Sequence, residues 1–416
     1  MFFFYQLIVS IILLFSPIII IYRIFKNKED KKRFLEKFSF PTKKRKKGNL
    51  IWFHGASVGE LISIIPLIKY YEKNRDIDQI LVTSSTVSSS KIIDKYKFKK
   101  TCHQFYPIDQ FIFTRKFLNF WRPNLAIYID SEIWPEMFKN LKDKKIPLIL
   151  LNARITRKTF KRWMKIKNFA KSVFDNIKII YPQNNETKIF LKKLGLKNFH
   201  YLGNLKFAEN PEDNFNDEKN KINSEIKKKR VWIASSTHKS EEIFCAKTHI
   251  ELKKKVKNLL TIIIPRHIHR VEKIIYEINK LNLNTVCHSK NPKNFNDTDV
   301  YIVDTFGDTK KFHKIGSSVF LGGSLIKHGG QNPLEAARFG AKIFHGPNID
   351  NFKDVYKLLK SLNISKRITS SKQLASSIFF RKNSSSGNKI KNIGQKILKK
   401  TIKEINTQIY NEFKKT

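Results

Sequence analysis

Twice along this chain, a series of short apolar runs alternates with longer amphipathic stretches, and few folds accommodate that pattern. In the first series the apolar runs are residues 50–53, 80–83, 125–129, 147–151 and 177–181, and the amphipathic stretches are 61–71, 111–120, 156–174 and 186–194. In the second the runs are 231–234, 259–264, 300–303, 319–321 and 342–344, and the stretches include 241–254, 269–281, 333–339 and 351–362. An apolar run bounded by turn residues reads as a strand buried on both faces. Strands of that kind alternating with helices give a parallel sheet covered on each side. The expected fold class is therefore α/β, with two parallel-sheet domains in tandem and a ligand cleft between them. In such sheets ligands sit beyond the carboxyl ends of the strands.

The length agrees. A chain of 416 residues is too long for one ordinary domain and comfortable for two of roughly 200. The 41% hydrophobic fraction is enough for two cores. The expected boundaries are an N-terminal apolar anchor at 1–26, a basic linker at Lys43–Lys47, a first domain at 48–209, a polar linker containing Pro211 at 210–229, and a second domain at 230–416. The Lys- and Asn-rich tail of that domain, from Ser384, is expected to be largely helical.

Phe2 to Tyr22 contains no charged residue over 21 positions, about the length a helix needs to cross a bilayer. Pro17 is expected to kink that helix without ending it. Arg23, Lys26, Lys28, Lys31, Lys32 and Arg33 follow, and such a flank stays cytoplasmic. No basic region precedes the apolar run and no small-residue cleavage site follows it, so an uncleaved anchor is expected rather than a signal peptide.

The 81 Lys and Arg against 35 Asp and Glu leave a net charge of +46. That balance favours anionic partners, but a chain saturated with Lys, Asn, Ile and Phe acquires much of it from coding bias, so charge alone decides little. No ordered basic-aromatic module suggests a nucleic-acid partner. Cys102, Cys245 and Cys287 lie far apart, with no spacing for a disulfide framework or zinc.

The unusual residues cluster just after the expected strands. Trp52 to Glu60 reads W-F-H-G-A-S-V-G-E, and its carboxylate at a helix start is placed either to act as a general base or merely to complement the helix dipole. Asp130 to Glu136, D-S-E-I-W-P-E, puts three acids around a Trp-Pro turn. Either Glu132 meets a sugar hydroxyl or a cation, or the cluster caps a helix, with Ser131 or Asp130 as the cap. In Asn152 to Trp163, five cations accompany Phe160 and Trp163, as suits an anionic membrane surface or simply a solvated basic face. Ser235, Ser236 and Thr237 offer hydroxyls and N–H groups to a phosphate at a helix start, and Arg266 offers a fork. His267 and His269, with no Cys or acid beside them, do not make a metal site. Gly322 to Ala337 sets two glycine pairs and His328 before a helix, with Asn332 as the expected cap, Pro333 at the first position and Glu335 at the capping-box position. Such a loop suits an anion.

Seven blocks in order, WFHGASVGE, DSEIWPE, LNARIT, GNLKF (203–207), SSTHKSEE, PRH and GGSLIKHGGQNPLEAA, resemble the Kdo (3-deoxy-D-manno-octulosonic acid) transferases and span residues 50 to 350. The resemblance implies the GT-B arrangement, two Rossmann-like domains facing a central cleft. It implies inverting transfer of Kdo from CMP-Kdo to a lipid A precursor (lipid IVA) in lipopolysaccharide biosynthesis, without metal or cofactor. Glu60 then matches the catalytic base, and Glu132, Ser57 and Arg154 fall on the acceptor or sugar side in the first domain. Ser236, Thr237, Arg266, His267, Gly323, Ser324, His328, Gly329, Asn332 and Glu335 fall around CMP-Kdo in the second. The implied location is the inner (plasma) membrane, with membrane lipids as further partners and the catalytic domains on the cytoplasmic face. Two places depart from the family: Ile268-His269-Arg270 stands where Pro-Glu-Arg is usual, and Gly307-Asp308-Thr309 where Gly-Glu-Leu or Gly-Glu-Met is usual. The rival readings are another two-domain glycosyltransferase, a sugar-nucleotide epimerase of similar architecture, a basic nucleic-acid-binding protein, or a membrane scaffold on a dead enzyme fold.

Overall fold

Alternate residues of each central strand enter different cores, as the period of two requires when both faces of a sheet are covered. In the computed structural model, which describes residues 1–26, 28–209, 224–292 and 294–413, strand β1 (Leu50–His54) sends Leu50 and Trp52 to one side and Ile51 and Phe53 to the other. The remaining strands of the first sheet are β2 (Gln79–Ser84), β3 (Thr101–Phe105), β4 (Leu125–Ile129), β5 (Leu148–Ala153) and β6 (Ile179–Pro182). Their order is β3-β2-β1-β4-β5-β6, all parallel. The second sheet holds β7 (Arg230–Thr237), β8 (Leu259–Pro265), β9 (Thr285–Cys287), β10 (Val300–Ile302), β11 (Ser318–Leu321), β12 (Lys342–His345) and β13 (Ser365–Arg367). Its order is β13-β12-β11-β7-β8-β10-β9, again parallel. Both are Rossmann-like, so the α/β expectation holds.

The chain divides into two compact units, Met1–Glu209 with everything from Gly394 on, and Asn210–Ile393. Two expected boundaries change. The tail was assigned to the second domain, but helix Ser384–Phe413 belongs to the first unit from Gly394. Ile397, Ile402, Ile405 and Ile409 face one way at helical spacing and complete the first unit's core, and the Tyr71 hydroxyl donates to Asn406 at 3.0 Å. The first unit also begins before residue 48. Glu36 is fully buried, takes two bonds from Arg33, and accepts the Phe105 N–H at 2.7 Å, which holds the segment before the expected linker onto β3. Of the expected linker 210–229, residues 210–223 lie outside the described residues, and Ser224–Lys227 forms a helical turn.

The expected single anchor helix is two helices, Phe2–Leu14 and Ser16–Phe25, bent by 53°. Pro17 has no N–H and its ring crowds the carbonyl of the preceding turn, which is why the break falls there. Among the described residues no single helix is long and apolar enough to cross a membrane, although this bent pair passes the length and composition test together. The expected helix 156–174 is likewise two, Arg157–Lys165 and Lys167–Phe174.

Candidate functional site

The chain builds β1, β2 and β3 outward in one direction, then returns to build β4, β5 and β6 in the other. The crevice where the order reverses lies beyond the ends of β1 and β4, where ligands of such sheets bind. Both acidic segments of the first unit sit there.

After β1, Ser57 caps helix Val58–Tyr71, and its Oγ accepts the Glu60 N–H at 3.3 Å. The Glu60 carboxylate reaches back to accept the N–H of Ala56 at 2.7 Å and of Ser57 at 3.3 Å, a complete capping box. Gly55 permits this closure, because a Cβ there would stand 3.1 Å from that of Glu60. Gly59 faces open space instead. Capping is not the whole account of Glu60. Burial, then the charges of Glu132 and Asp130, push its carboxyl up to about 7 against the Ser57 hydrogen bonds. A carboxylate poised there takes a proton near neutral pH and releases it again.

Asp130 follows β4 in the left-handed region, φ 63°, which Asp enters more readily than most residues. Lys206 holds it at 2.7 Å. Asn204 turns that segment by accepting the Lys206 N–H, and Asn152, itself at φ 55°, accepts the N–H of Leu205. The LNARIT and GNLKF blocks thus meet to deliver one cation to one acid. Arg154 is placed beside them, its N–H donating to the Asp130 carbonyl at 3.0 Å. Glu132 accepts from Trp134 Nε1 at 2.9 Å and lies 3.4 Å from His54 Nε2. His54 is fully buried, stacked on Tyr106 at 3.9 Å, and its Nδ1 is 2.9 Å from Thr83 Oγ1. Burial lowers its pKa, with Glu132 opposing, so the ring is neutral beside the acids.

One expectation fails here. Neither Ser131 nor Asp130 caps helix Pro135–Asp143. Asp109 does so from the loop after β3, accepting the N–H groups of Glu136 at 3.0 Å and Met137 at 2.8 Å. Phe160 and Trp163 are half-buried: Phe160 stacks on Phe190 at 4.3 Å and Trp163 packs edge-on to Phe174.

In the second unit the order reverses between β7 and β11, and β8 lies on the other side of β7. Ser236 is left-handed at φ 56°, and the Thr237 carbonyl accepts the Arg266 N–H at 2.9 Å, which joins the loops after β7 and β8. The glycine loop is not an open anion nest. The buried Glu241 carboxylate already accepts the N–H groups of Gly323 (2.7 Å), Ser324 (3.1 Å), Leu325 (2.9 Å) and His238 (2.9 Å). Ser324 is wholly buried, donating to the Leu321 carbonyl and accepting from Gly346. Gly323 N–H and Ser324 therefore shape the loop rather than meet a ligand. Gly322 has no room for a side chain, since a Cβ would fall 2.4 Å from the Ser236 carbonyl. The following helix is only Leu334–Arg338. Asn332 accepts the Leu334 N–H at 3.1 Å, while Pro333 holds the cap position, one residue later than expected.

Histidines and arginines gather at the same edge. His238 lies with its ring centre 4.4 Å from that of His328 and 5.6 Å from that of His267. Burial, then His328, His267, Arg266 and Arg270, drive His238 down to about 4, and its buried Nε2 has no hydrogen-bond partner among the described residues. Arg270 is neutralised by two bonds to Glu242, whereas the exposed Arg266 guanidinium makes no hydrogen bond or ion pair among the described residues. Glu335 is half-exposed, 3.8 Å from the buried His313. Gly329, in the loop before helix Leu334–Arg338, has φ 93° and lies near Asn351. Asp308, at the departure from the family pattern, pairs with Lys311 at 2.8 Å. Among the described residues no three His, Cys, Asp or Glu side chains converge as metal ligands.

Sequence reasoning passed over His54, Asp109, Lys206, His238 and Glu241. All but Asp109 lie inside the quoted blocks, and an isolated acid or cation in a strand-end loop was the available signal.

The family described as 3-deoxy-D-manno-octulosonic-acid transferase (kdotransferase) matches residues 32–209. A 3-deoxy-D-manno-octulosonic acid transferase of Rickettsia bellii is 34% identical over 396 residues, 95% of this chain and 94% of that one. One from Haemophilus influenzae is 30% identical over 312 residues, 74% of this chain and 73% of that one. A solved glycosyltransferase of Rickettsia africae shares the fold at 11% identity, with a TM-score of 0.55 over 88% of this chain and 99% of that one.

Proposed function

Because the chain belongs to the Kdo transferase family, we propose that it moves Kdo from CMP-Kdo to a hydroxyl of a lipid A precursor such as lipid IVA, with inversion. The observation that carries this reading is the Glu60 carboxyl held near 7 at the reversal point of the first sheet, beside Glu132. In the proposed step the acceptor oxygen attacks the anomeric carbon of Kdo while Glu60 takes its proton. The bond from that carbon to the CMP phosphate oxygen breaks, and CMP leaves with the electron pair. A single displacement inverts the centre. Ser57 holds Glu60 by the capping box, and Glu132 and Arg154 lie on the acceptor side. On the donor side, the free guanidinium of Arg266 and the rings of His267 and His328 suit a phosphate or carboxylate. Ser236, Thr237, Gly329, Asn332 and Glu335 complete the proposed donor set, while Gly323 and Ser324 act through loop shape.

The experiment is incubation of the purified protein with CMP-Kdo and a lipid A precursor, followed by mass spectrometry of the lipid. Kdo-bearing lipid is expected, and unmodified lipid in every condition would sink the assignment. For the donor side, Arg266→Ala should weaken CMP-Kdo binding by about tenfold or more, the usual loss for a charge-assisted contact. Calorimetry giving parental affinity in the folded variant would remove Arg266 from the donor site.

The apolar helix pair is proposed to hold the protein on the inner (plasma) membrane with the catalytic units on the cytoplasmic face. Phe3, Phe4, Leu7, Ile8, Ile11 and Ile12 are exposed on it, and the basic residues from Arg23 follow. Attachment keeps the enzyme near an acceptor confined to the bilayer. Full-length protein should resist carbonate extraction and a truncation starting at Lys28 should not. Identical release of both would remove the anchor.

A further inference from the structure

The N-terminal apolar helix is docked by one edge. Phe2, Tyr5, Gln6, Val9 and Leu13 are half-buried at helical spacing, while the residues between them are mostly exposed. Phe2 meets Phe169 edge-on at 5.8 Å, and Lys139 lies 5.0 Å over its ring. The two polar residues on that edge end on buried acids. The Tyr5 hydroxyl donates to Asp109 Oδ2 at 2.5 Å, and Gln6 Nε2 donates to Glu136 Oε2 at 2.9 Å.

Those acids organise the loop beside the proposed base. Asp109, 4% exposed, accepts the first two N–H groups available at the start of helix Pro135–Asp143. Glu136, fully buried, also accepts from Asn140, which donates in turn to Thr114. Neither acid forms an ion pair among the described residues, so neutral donors carry the whole burden of their burial. Burial still pushes Asp109 up to about 6 despite three hydrogen bonds that lower it. The loop from Asp130 to Trp134, which carries Glu132, is therefore clamped at both ends. Lys206 holds Asp130, and the Asp109 network holds the helix start, with Tyr5 and Gln6 closing it from outside.

We propose that Tyr5 and Gln6 are positioning residues: acting through Asp109 and Glu136, they fix the start of helix Pro135–Asp143 and with it the Glu132 loop. The N-terminal helix thus does more than attach the protein to a membrane. This rests on the transferase reading of the same site, and the test separates the two.

Full-length Tyr5→Phe, assayed in detergent micelles, keeps the ring and the apolar surface but loses the donor. Hydrogen exchange at the Glu136 and Met137 amides should accelerate by roughly tenfold or more, the loss expected for one hydrogen bond to a charged group. The kcat should fall by about tenfold, within the roughly hundredfold that an ångström of misplacement costs. CMP-Kdo affinity and the membrane-bound fraction should not change. In an Asp109→Ala background, which removes the acceptor, the same substitution should change kcat by less than about twofold, because its route of action is gone. Gln6→Leu tests the second branch, with faster exchange expected at the start of the same helix. Unchanged exchange at Glu136 and Met137, or effects of Tyr5→Phe and Asp109→Ala that simply multiply, would overturn the positioning role. A parental protein that transfers no Kdo would overturn the transferase reading instead, and the exchange result would still decide whether Tyr5 holds the loop.

Discussion

Glu60→Gln should lower single-turnover Kdo transfer by about 10²–10⁴-fold, the usual span for a lost general base. The substitution separates the observed cap from the proposed base. As a cap, Glu60 accepts the N–H groups of Ala56 and Ser57. Glutamine retains a carbonyl oxygen for that purpose, and a capping box tolerates either residue. In the proposed role as base, the carboxyl near 7 would take the acceptor's proton, which an amide cannot do. Donor binding should survive, because the donor residues proposed above lie in the other unit. A variant that melts normally and still transfers at a near-parental rate would remove Glu60 from the mechanism and leave Glu132 as the next candidate.

The pH behaviour gives a second, independent signature. Below about pH 7 the parental rate should fall about tenfold per unit as the base becomes protonated, and the residual rate of the variant should lose that limb. Stability runs the opposite way. The folded carboxyl titrates near 7, against an ordinary value of 4.5. The folded state therefore holds a proton in that window that the unfolded chain has released. The stability this proton confers is complete below 4.5 and lost as pH rises through 7. Glutamine carries no charge to bury, so Glu60→Gln should melt no lower than the parent at pH 8 while turning over far more slowly. A lower melt with preserved turnover is what a pure cap predicts.

What could be read from the chain follows from how each element is buried. The central strands announce themselves because both faces are covered, and β4 was expected to the residue, Leu125–Ile129. The three strands passed over, β3, β9 and β13, all lie at sheet edges, where one neighbour is missing and Thr-Cys-His-Gln-Phe or Ser-Lys-Arg suffices. Site residues were legible as blocks and not as partners. Glu60 and Glu132 stood out as rare acids after strands. Nothing in the spacing could show that Lys206 lies on Asp130 across 76 positions, or that Glu241 reaches a glycine loop 82 residues on. Four glycines before a helix looked like an anion nest. The N–H groups of Gly323, Ser324 and Leu325 serve a carboxylate supplied by the protein itself, and only the fold can distinguish these uses.

That internal carboxylate leads to a second large effect. Glu241 satisfies four backbone donors, with Oε1 taking Ser324 and Leu325 and Oε2 taking His238 and Gly323. Glu241→Gln is nearly isosteric, yet either orientation of the amide turns its NH2 toward two of those N–H groups. Two hydrogen bonds are lost and two buried donors are stranded, at about 1–3 kcal/mol each. For a unit of this size the melting temperature should drop by roughly 5–15 °C. The loop it shapes carries His328 and leads to Asn332 and Glu335, so CMP-Kdo affinity should fall by about tenfold or more even well below the melt. Glu60→Gln and Glu241→Gln are thus expected to be mirror images, one losing turnover with its fold and donor affinity intact, the other losing donor affinity through its fold. Calorimetric titration of CMP-Kdo at low temperature, beside a thermal melt of each variant, reads both. If Glu241→Gln melts within about 2 °C of the parent and binds donor normally, the glycine loop holds its shape without that carboxylate. Its N–H groups would then be available to an anion after all, and Gly323 and Ser324 would return to the donor set.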